Sequence, residues 1–401
     1  MKLGSSILAL LSLAAGLAAA PATAQKKYDP GASDTEIKVG NTAPYSGPLS
    51  ALGAIGKAIG AYFDKVNAEG GINGRKIKFI TLDDGYNPAK TVEQVRKLVE
   101  EEEVLLVLSP VGTPTNSAVH KYMNTKKVPH LFLGSGATKW GDPKNFPYTM
   151  GWQPNYQSEG KIYAAHILET KPNGKIGVLY QNDDYGRDYL KGFEDGLGEK
   201  ARTMIVSKLT YEVTDPTVDS QIAALKASGA DIFFNVTVGK FAAQSIRRVA
   251  EIGWKPVHYL NKVGTGVGSV LTPAGLDNAV GIISADHAKD PTDPQFQKGK
   301  EYDDWLDWMK RYHPGGDPKD NLTVAGYSMA QTLVQVLTQA GDDLTHDNVM
   351  KQAANLDMTL PMLLPGVTIK TGPDDFYPVE REQLKRFNGK SWELFGKVYG
   401  R

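Results

Sequence analysis

IKVGNTAPYSGPLSALGAIGKAIGAYFDKVNAEGGINGRKIKFITLDD, residues 37–84, is the stretch that decides the fold of this chain. An apolar run from Ile37 to Val39 leads into the polar turn Pro44 to Pro48, and then into apolar residues at helical spacing, namely Ile55, Ile59, Phe63 and Val66. A glycine-rich turn and a second apolar run, Ile77 to Leu82, complete it. This order predicts a strand, a helix and a parallel strand. Because the first strand runs into Ser-Gly-Pro, polar groups should lie at the carboxyl edge of the sheet, where open α/β folds bind ligands.

Two successive sets of strand and helix patterns follow one another along the chain. The first set continues with apolar runs at 104–108 and 130–133, and the second has its runs at 176–180, 204–209, 232–236 and 257–260. Repeated units of this kind are typical of a parallel sheet covered by helices. The sequence therefore predicts an α/β fold with two Rossmann-like lobes joined by crossover hinge segments.

The later patterns do not begin a third set of units. We expect the chain to cross back near Ile282 to Ser284 and to return again after Leu360, with Val367 to Ile369 and Trp392 to Val398 in the second lobe. The predicted first lobe comprises 34–150 plus 284–360, and the predicted second lobe comprises 151–283 plus 361–401.

The amino terminus has the pattern of a secretory signal peptide, residues 1–24. Lys2 precedes an apolar run from Ile7 to Ala20, and Ala22-Thr23-Ala24 supplies the small residues of a cleavage site. We therefore expect the mature protein to be soluble in the periplasm. The 401 residues include no Cys, so neither a lipid anchor on an N-terminal cysteine nor a disulfide is predicted.

Charge and catalytic motifs narrow the classes of function. Lys plus Arg and Asp plus Glu both number 45, and this balance does not favour nucleic acid as a partner. The seven histidines are scattered without metal-ligand spacing, and no Gly-x-Ser-x-Gly nucleophile motif or dinucleotide fingerprint occurs. The sequence predicts neither an enzyme nor a metal or nucleotide cofactor. The acidic pairs Asp183-Asp184 and Asp303-Asp304 are interpreted as solvated surface.

The strand ends of the first set carry the strongest functional signal. Thr113 can cap a helix that begins at Pro114, and the unpaired N–H groups of such a helix start favour an anion. Gly136, Ala137 and Thr138 could add donors from the next strand end, which together predicts a cradle for a carboxylate. The alternative is that both threonines only cap helices. Tyr185, after the run at 176–180, could stack on a ligand or could simply be a half-buried tyrosine at a helix start.

Several motifs together resemble the periplasmic solute-binding proteins of ABC importers, in the branched-chain amino acid binding group. They are Ser46-Gly47-Pro48 with Gly53, the turn from Asn67 to Arg75, Asp83-Asp84 with Pro88, the run from Gly134 to Thr138, and Asp184-Tyr185-Gly186. The resemblance extends over nearly all of the mature chain and implies the type I periplasmic binding protein fold, in which two lobes close around a ligand.

The resemblance also implies positions for the ligand contacts. In this group the ligand carboxylate is held at positions that match Thr113 and Thr138, with main-chain groups near Gly136 and Ala137. A pocket side chain falls on Leu52, and the Tyr-Gly position falls on Tyr185. An inner-membrane ABC permease is the implied partner, and the protein is expected to be a monomer.

One part of the family pattern is missing from this sequence. Amino acid binders of the group place a glutamate after the strand that matches 257–260, to pair with the ligand ammonium, and this chain has Lys262 in that segment. The tyrosine expected near Val236 to Val238 is absent too. Burying an ammonium without a counter-charge makes the binding free energy less favourable by several kcal/mol. We therefore expect a carboxylate ligand without an α-ammonium. It would be an aromatic or aliphatic acid that lies against Leu52 and Tyr185.

Other interpretations remain open. Lys262 could meet a second polar end of the ligand or be a solvated lysine, and Asp183, Asp184 or Asp286 could replace the missing acid. The protein could then be a branched-chain amino acid binding protein proper. A ligand sensor of the same fold that docks on a signalling receptor is an alternative of another class.

Overall fold

The computed structural model describes residues 26–400, so the predicted signal peptide, 1–24, lies outside the described residues. A five-stranded sheet forms the core of the first lobe, and all of its strands are parallel. In spatial order they are Lys76–Asp83, Glu36–Ala43, Leu106–Leu108, His130–Leu131 and Thr149–Met150. The prediction of parallel strands from Ile37 onwards is therefore confirmed, and the carboxyl ends of these strands meet at one edge.

The first lobe is covered by helices that carry an apolar stripe towards the sheet. Their bounds are Ala54–Ala68, Pro88–Arg96, Thr113–Lys126, Lys300–Tyr312, Asn321–Ala340 and His346–Ala353, with a π-helical turn at Lys97–Glu101. Ile55, Ile59, Phe63 and Val66 are all buried, as their spacing predicts. The Asn87 side chain caps the second helix by accepting hydrogen bonds from the N–H groups of Ala89 and Lys90.

The returning chain packs tightly on the first helix of this lobe. A Cβ on Gly326 would lie 2.4 Å from the carbonyl oxygen of Ile55, so only glycine permits this distance between the two helices. Trp308 and Tyr327, whose ring centroids are 4.6 Å apart, fill the adjoining space. The helices Lys300–Tyr312 and Asn321–Ala340 of the returning chain thereby complete the core of the first lobe.

The second lobe is built on a seven-stranded mixed sheet. In spatial order its strands are Trp392–Tyr399, Glu382–Phe387, Ile283–Asp286, Val257–Leu260, Ile232–Val236, Ile176–Gln181 and Ile205–Tyr211. The last two strands of the chain are antiparallel to their neighbours and the others are parallel. The helices are Tyr156–Thr170, Asp184–Leu197, Ala201–Met204, Asp219–Ala227, Lys240–Glu251 and Thr272–Ala274.

Two details of the chain path differ from the sequence-based expectation. The return crossing was expected near Ile282 to Ser284, but Ile283–Asp286 is a strand of the second sheet, so the chain leaves that sheet after Asp286. Residues 367–369 were expected in the second lobe, yet the strand Ile369–Lys370 pairs only with Asp357–Met358 in a separate two-stranded sheet. An apolar run marks a strand without telling which sheet it joins.

The remaining small sheet pairs Lys27–Tyr28 with Asp343–Leu344. Between residues 26 and 400, none of the helices combines the length and the apolar character needed to cross a membrane.

The turn Pro44 to Pro48 is held by a carboxylate from the neighbouring strand. Asp83 Oδ1 accepts hydrogen bonds from the N–H groups of Tyr45, at 2.9 Å, and Ser46, at 3.2 Å, while Oδ2 accepts the Ser46 hydroxyl at 2.6 Å. Lys90 Nζ lies 3.1 Å from the same Oδ2. These contacts fix the direction in which the chain leaves the first strand and enters the short helix Ser50–Gly53.

We predict that Asp83→Asn lowers the free energy of unfolding by about 1 kcal/mol or more, since an amide accepts these hydrogen bonds less strongly and cannot pair with Lys90. Urea unfolding followed by circular dichroism measures the loss. Asp64→Asn, at an exposed position of the first helix, is the matched control and should change the stability little.

The Asp83 prediction has a defined pH dependence. Although partial burial opposes it, the hydrogen bonds from Ser46 and Gly85 and the pair with Lys90 lower the pKa of Asp83. A lowered folded-state pKa adds stability that is complete above the unfolded pKa and is lost as the pH falls through the folded one. The stability difference between the wild type and Asp83→Asn should therefore shrink below pH ~4. A difference that stayed constant down to pH 3 would contradict this account.

Candidate ligand-binding site

A cavity lies between the two lobes, where the carboxyl ends of their strands face each other. The first lobe lines it with Leu52, Ile55, Tyr86, Val111, Thr113 and Leu322. The second lobe lines it with Tyr156, Tyr185, Val238, Lys262 and Val263, while Gln153 and Asn321 add amide groups. The cavity has a volume of about 40 Å³, which is room for roughly two or three water molecules. The site is small, mostly apolar and shared by both lobes.

Four of the seven residues singled out from the sequence lie in this wall, namely Leu52, Thr113, Tyr185 and Lys262. Leu52 is positioned by the short helix that follows the Asp83-bound turn. Tyr185 is 3% exposed, and its hydroxyl donates to Asn261 Oδ1 at 2.7 Å, so its ring faces the cavity while its hydroxyl is already used. Their contact with a ligand stays a prediction.

The charge of the wall is one-sided. Among the described residues that line the cavity, Lys262 is the only charged side chain and no carboxylate is present. Lys262 Nζ lies 3.5 Å from Asp286 Oδ1, and the other oxygen of Asp286 accepts from Lys385 at 2.6 Å. Although burial opposes it, the two lysines hold the pKa of Asp286 well below its usual value. Asp286 is therefore a counter-ion within the protein.

Lys262 is held in place through its backbone. Its N–H donates to Glu159 Oε1 at 2.8 Å, and the same carboxylate accepts the hydroxyls of Tyr163 and Tyr189, each at 2.6 Å. Glu159 is 2% exposed, and this burial raises its pKa. The buried carboxylate of Glu159 thus holds the loop after Val257–Leu260 in place, and Glu159 itself does not line the cavity.

The other candidate acids are also engaged inside the protein. Asp183 caps the helix Asp184–Leu197, since its Oδ1 accepts the N–H of Tyr185 at 3.0 Å and of Gly186 at 3.3 Å. Asp183 is half-buried and its carboxylate is bonded within the protein, which differs from the interpretation of this residue as solvated surface, whereas Asp184 is exposed. Asp184 Oδ2 lies 2.6 Å from Lys139 Nζ, which belongs to the first lobe.

Thr113 does not cap a helix, contrary to one reading of its sequence. Gly112, with φ of +106°, is the capping residue, and Thr113 is the first residue of the helix. The Thr113 hydroxyl is therefore free to bond elsewhere, and its Oγ1 lies 2.7 Å from Ser135 Oγ. Two neighbouring strand ends of the first sheet are joined by this contact.

Gly136, Ala137 and Thr138 do not line the cavity. Both donors of Thr138 are used by a carboxylate of the second lobe, because Asp188 Oδ2 accepts the N–H at 2.7 Å and the hydroxyl at 3.0 Å. A Cβ on Gly136 would lie 2.7 Å from the Tyr156 ring, so this ring stands directly against Gly136. The assignment of these three residues to the ligand carboxylate stays a prediction.

Sequence reasoning missed four polar residues of the wall, which are Tyr86, Gln153, Tyr156 and Asn321. Tyr86 has φ of +60° and follows Gly85, which also has positive φ, so the Asp-Asp-Gly turn was the available signal. Tyr156 begins the helix that Asn155 caps, a helix start at the predicted crossover. Asn321 comes from the returning chain, and nothing near it in the sequence marks it.

A small cavity between two α/β lobes is a common place for a small-molecule site. The family model described as periplasmic binding protein matches residues 36–378, so the chain belongs to that family. The resemblance to its branched-chain amino acid binding group is confirmed as well. The Leu/Ile/Val-binding protein homolog 7 of Brucella suis is 26% identical over 343 residues, which cover 82% of this chain and 81% of that protein.

Solved structures agree with this fold. The structure of a branched chain amino acid ABC transporter from Thermus thermophilus with bound valine has a TM-score of 0.79 at 17% identity, over 92% of this chain and 97% of that one. A solute binding protein of an ABC transporter from Rhodopseudomonas palustris HaA2, in complex with p-hydroxybenzoic acid, has a TM-score of 0.76 at 16% identity, over 91% and 97%. At these identities the likeness is one of fold.

We predict that Gly112→Ala destabilises the protein by about 1–3 kcal/mol, because alanine strains the backbone at positive φ. Its Cβ would also lie 2.5 Å from the Tyr86 ring. The midpoint of thermal unfolding measures the loss. Gly315→Ala is the control, since no atom lies within 4 Å of its added Cβ and its φ is not positive. Equal midpoints for the two variants would contradict the proposed constraint at the cavity wall.

Proposed function

We propose that this protein captures a small carboxylate that lacks an α-ammonium and delivers it to an ABC permease in the inner membrane. In this proposal it acts in the periplasm, as a monomer, and binds without catalysis. The observation that carries the proposal is the charge of the cavity wall, which has the cation Lys262 and no carboxylate.

The counter-charge for an ammonium is what the wall lacks. Asp286 lies between two lysines, Asp183 binds the N–H groups of a helix start, and Asp184 pairs with Lys139. Burying an ammonium without a charged partner makes the binding free energy less favourable by several kcal/mol, and every 1.4 kcal/mol lowers the affinity tenfold. An anion meets the opposite situation, because Lys262 and the Thr113 hydroxyl offer donors from the two lobes.

The body of the ligand is inferred from the remaining wall. Leu52, Val111, Val238 and Val263 are apolar, and Tyr185 presents a ring whose hydroxyl is bonded to Asn261. Such walls suit an aromatic or aliphatic chain of modest length. The Rhodopseudomonas palustris protein of similar fold, with its bound p-hydroxybenzoic acid, shows that this architecture can hold an aromatic acid. Lys262 would meet the carboxylate or a second polar end.

A branched-chain amino acid is the second candidate ligand. The names of the Brucella relatives and the valine in the Thermus structure favour it. It requires an acid near the ligand nitrogen, and the wall described above offers none. The two candidates therefore differ in one group of the ligand, the ammonium.

Isothermal titration calorimetry of protein that has been unfolded, stripped of ligand and refolded separates the two candidates. We expect binding of benzoate, cinnamate or hexanoate and at least a hundredfold weaker binding of leucine and valine, about 2.7 kcal/mol apart. Tight binding of leucine or valine, with none of the three acids, would overturn the proposal.

Lys262→Met tests the role of the cation. We predict that it weakens binding of these acids roughly 10- to 100-fold, since a partly buried charge partner is lost. Lys255→Met, at an exposed position of the same lobe, is the control and should bind like the wild type. The affinities come from the same titrations, and an unchanged affinity of Lys262→Met would remove Lys262 from the site.

A further inference from the structure

Tyr156 is held rigidly at the point where the two lobes meet. It is 3% exposed and lines the cavity. Its ring stacks on Tyr189, with centroids 4.4 Å apart and planes 21° apart, and meets the edge of Tyr185 at 5.1 Å. Its N–H donates to the carbonyl oxygen of Gly136 at 2.8 Å, which ties the start of this second-lobe helix to the first lobe. The phenol hydroxyl therefore has a fixed position.

That hydroxyl lies among polar groups of the first lobe. Burial raises the pKa of Tyr156 above its usual value, and the nearby Gly136 N–H and the nearby hydroxyls of Ser135 and Thr113 oppose the rise. The phenol consequently keeps its proton at neutral pH and can donate it. The charge of Glu159, which lies near the other end of this tyrosine cluster, also raises the pKa of the phenol.

The hydrogen-bond pattern around Ser135 leaves the Thr113 proton available. Ser135 Oγ accepts from Trp140 Nε1 at 2.9 Å and from the Ala137 N–H at 3.3 Å, which uses both of its lone pairs. The Ser135 proton must then be donated to Thr113 Oγ1, 2.7 Å away. Thr113 accepts this bond and keeps its own proton for another acceptor.

Thr138, by contrast, has no donor left for a ligand. Its N–H and its hydroxyl both donate to Asp188, whose other oxygen accepts from Gln157 at 2.7 Å. The carboxylate of Asp188 therefore accepts both hydrogen bonds that Thr138 can donate. The family resemblance implied that Thr138 would donate to the ligand carboxylate instead.

We propose that the acid-binding end of the cavity is formed by the hydroxyls of Tyr156 and Thr113, and that Tyr156 replaces Thr138 as the ligand contact. The inference rests on the proposed function in one respect, that the ligand is an acid. Because Tyr156 belongs to the second lobe and Thr113 to the first, a carboxylate bound by both links the lobes. Asp188 excludes Thr138 and so sets the position of the acid group.

Tyr156→Phe tests this assignment, since it keeps the ring and its stacking and removes only the hydroxyl. Two probes are used on ligand-stripped protein: cinnamate in calorimetry, and sodium formate, against sodium chloride of equal ionic strength, in thermal unfolding. We expect cinnamate affinity to fall about tenfold or more, as for one lost hydrogen bond to a charged group. The formate-dependent rise of the unfolding midpoint should disappear.

Two further variants complete the design. Thr113→Val should show the same losses, because it removes the second hydroxyl. Tyr259→Phe is the matched control, as Tyr259 is equally buried and its hydroxyl bonds to His166, away from the cavity. It should bind cinnamate and respond to formate like the wild type.

The outcomes separate this inference from the proposed function. If Tyr156→Phe binds cinnamate as tightly as the wild type, or keeps the formate effect, the role of Tyr156 is overturned while the acid ligand stands. If the wild type binds no cinnamate but responds to formate, and Tyr156→Phe does not respond, the acid-binding end stands and only the assigned ligand body is wrong. If the wild type responds to neither probe, the inference is overturned.

Discussion

The carboxyl ends of parallel strands place unpaired polar groups at one edge of a sheet, and two such edges face each other in this protein. Each strand end first satisfies groups of the protein itself: Asp83 binds the turn after the first strand, Asp183 caps a helix, and Asp188 binds Thr138. Buried polar groups without partners lower the stability of the fold, so most of these groups bond within the protein and are not available to a ligand. The groups that remain, chiefly Thr113 and Lys262, are those that can recognise a solute.

Much of this arrangement could be predicted from the sequence, because it depends on where strands end. Thr113, Tyr185 and Lys262 follow predicted strands within a few residues, and Leu52 was placed by the family resemblance; all four line the cavity. What could not be predicted depends on distant contacts. Asp188, 50 residues from Thr138 in the chain, takes the donors of that residue. No local sequence pattern predicts such a contact, and both the strand-end position of Thr138 and the family resemblance favoured it as a ligand contact.

The same limit applies to the chain path and to the missed wall residues. The strand Ile283–Asp286 is an apolar run like any other, and only its pairing with Val257–Leu260 and Glu382–Phe387 assigns it to the second sheet. Asn321 reaches the cavity because Gly326 lets its helix lie against the first helix. Packing between helices so far apart in the chain decides both features, and a periodic pattern carries no information on partners.

The buried charges near the cavity explain how the fold accommodates a lysine at the cavity wall. Lys262 and Lys385 share Asp286, and Lys385 also lies 3.5 Å from Asp290. Burial, followed by the repulsion of Glu159, raises the pKa of Glu382 well above its usual value. The two cations are thus balanced by carboxylates below them, and Lys262 keeps one side towards the cavity. The contacts between the lobes include the exposed Lys139–Asp184 pair, and exposed pairs contribute about 0–1 kcal/mol. They also include the two hydrogen bonds from Thr138 to Asp188 and the bond from the Tyr156 N–H to the carbonyl oxygen of Gly136. In the proposed function, a ligand anion that bonds to donors of both lobes adds to these contacts.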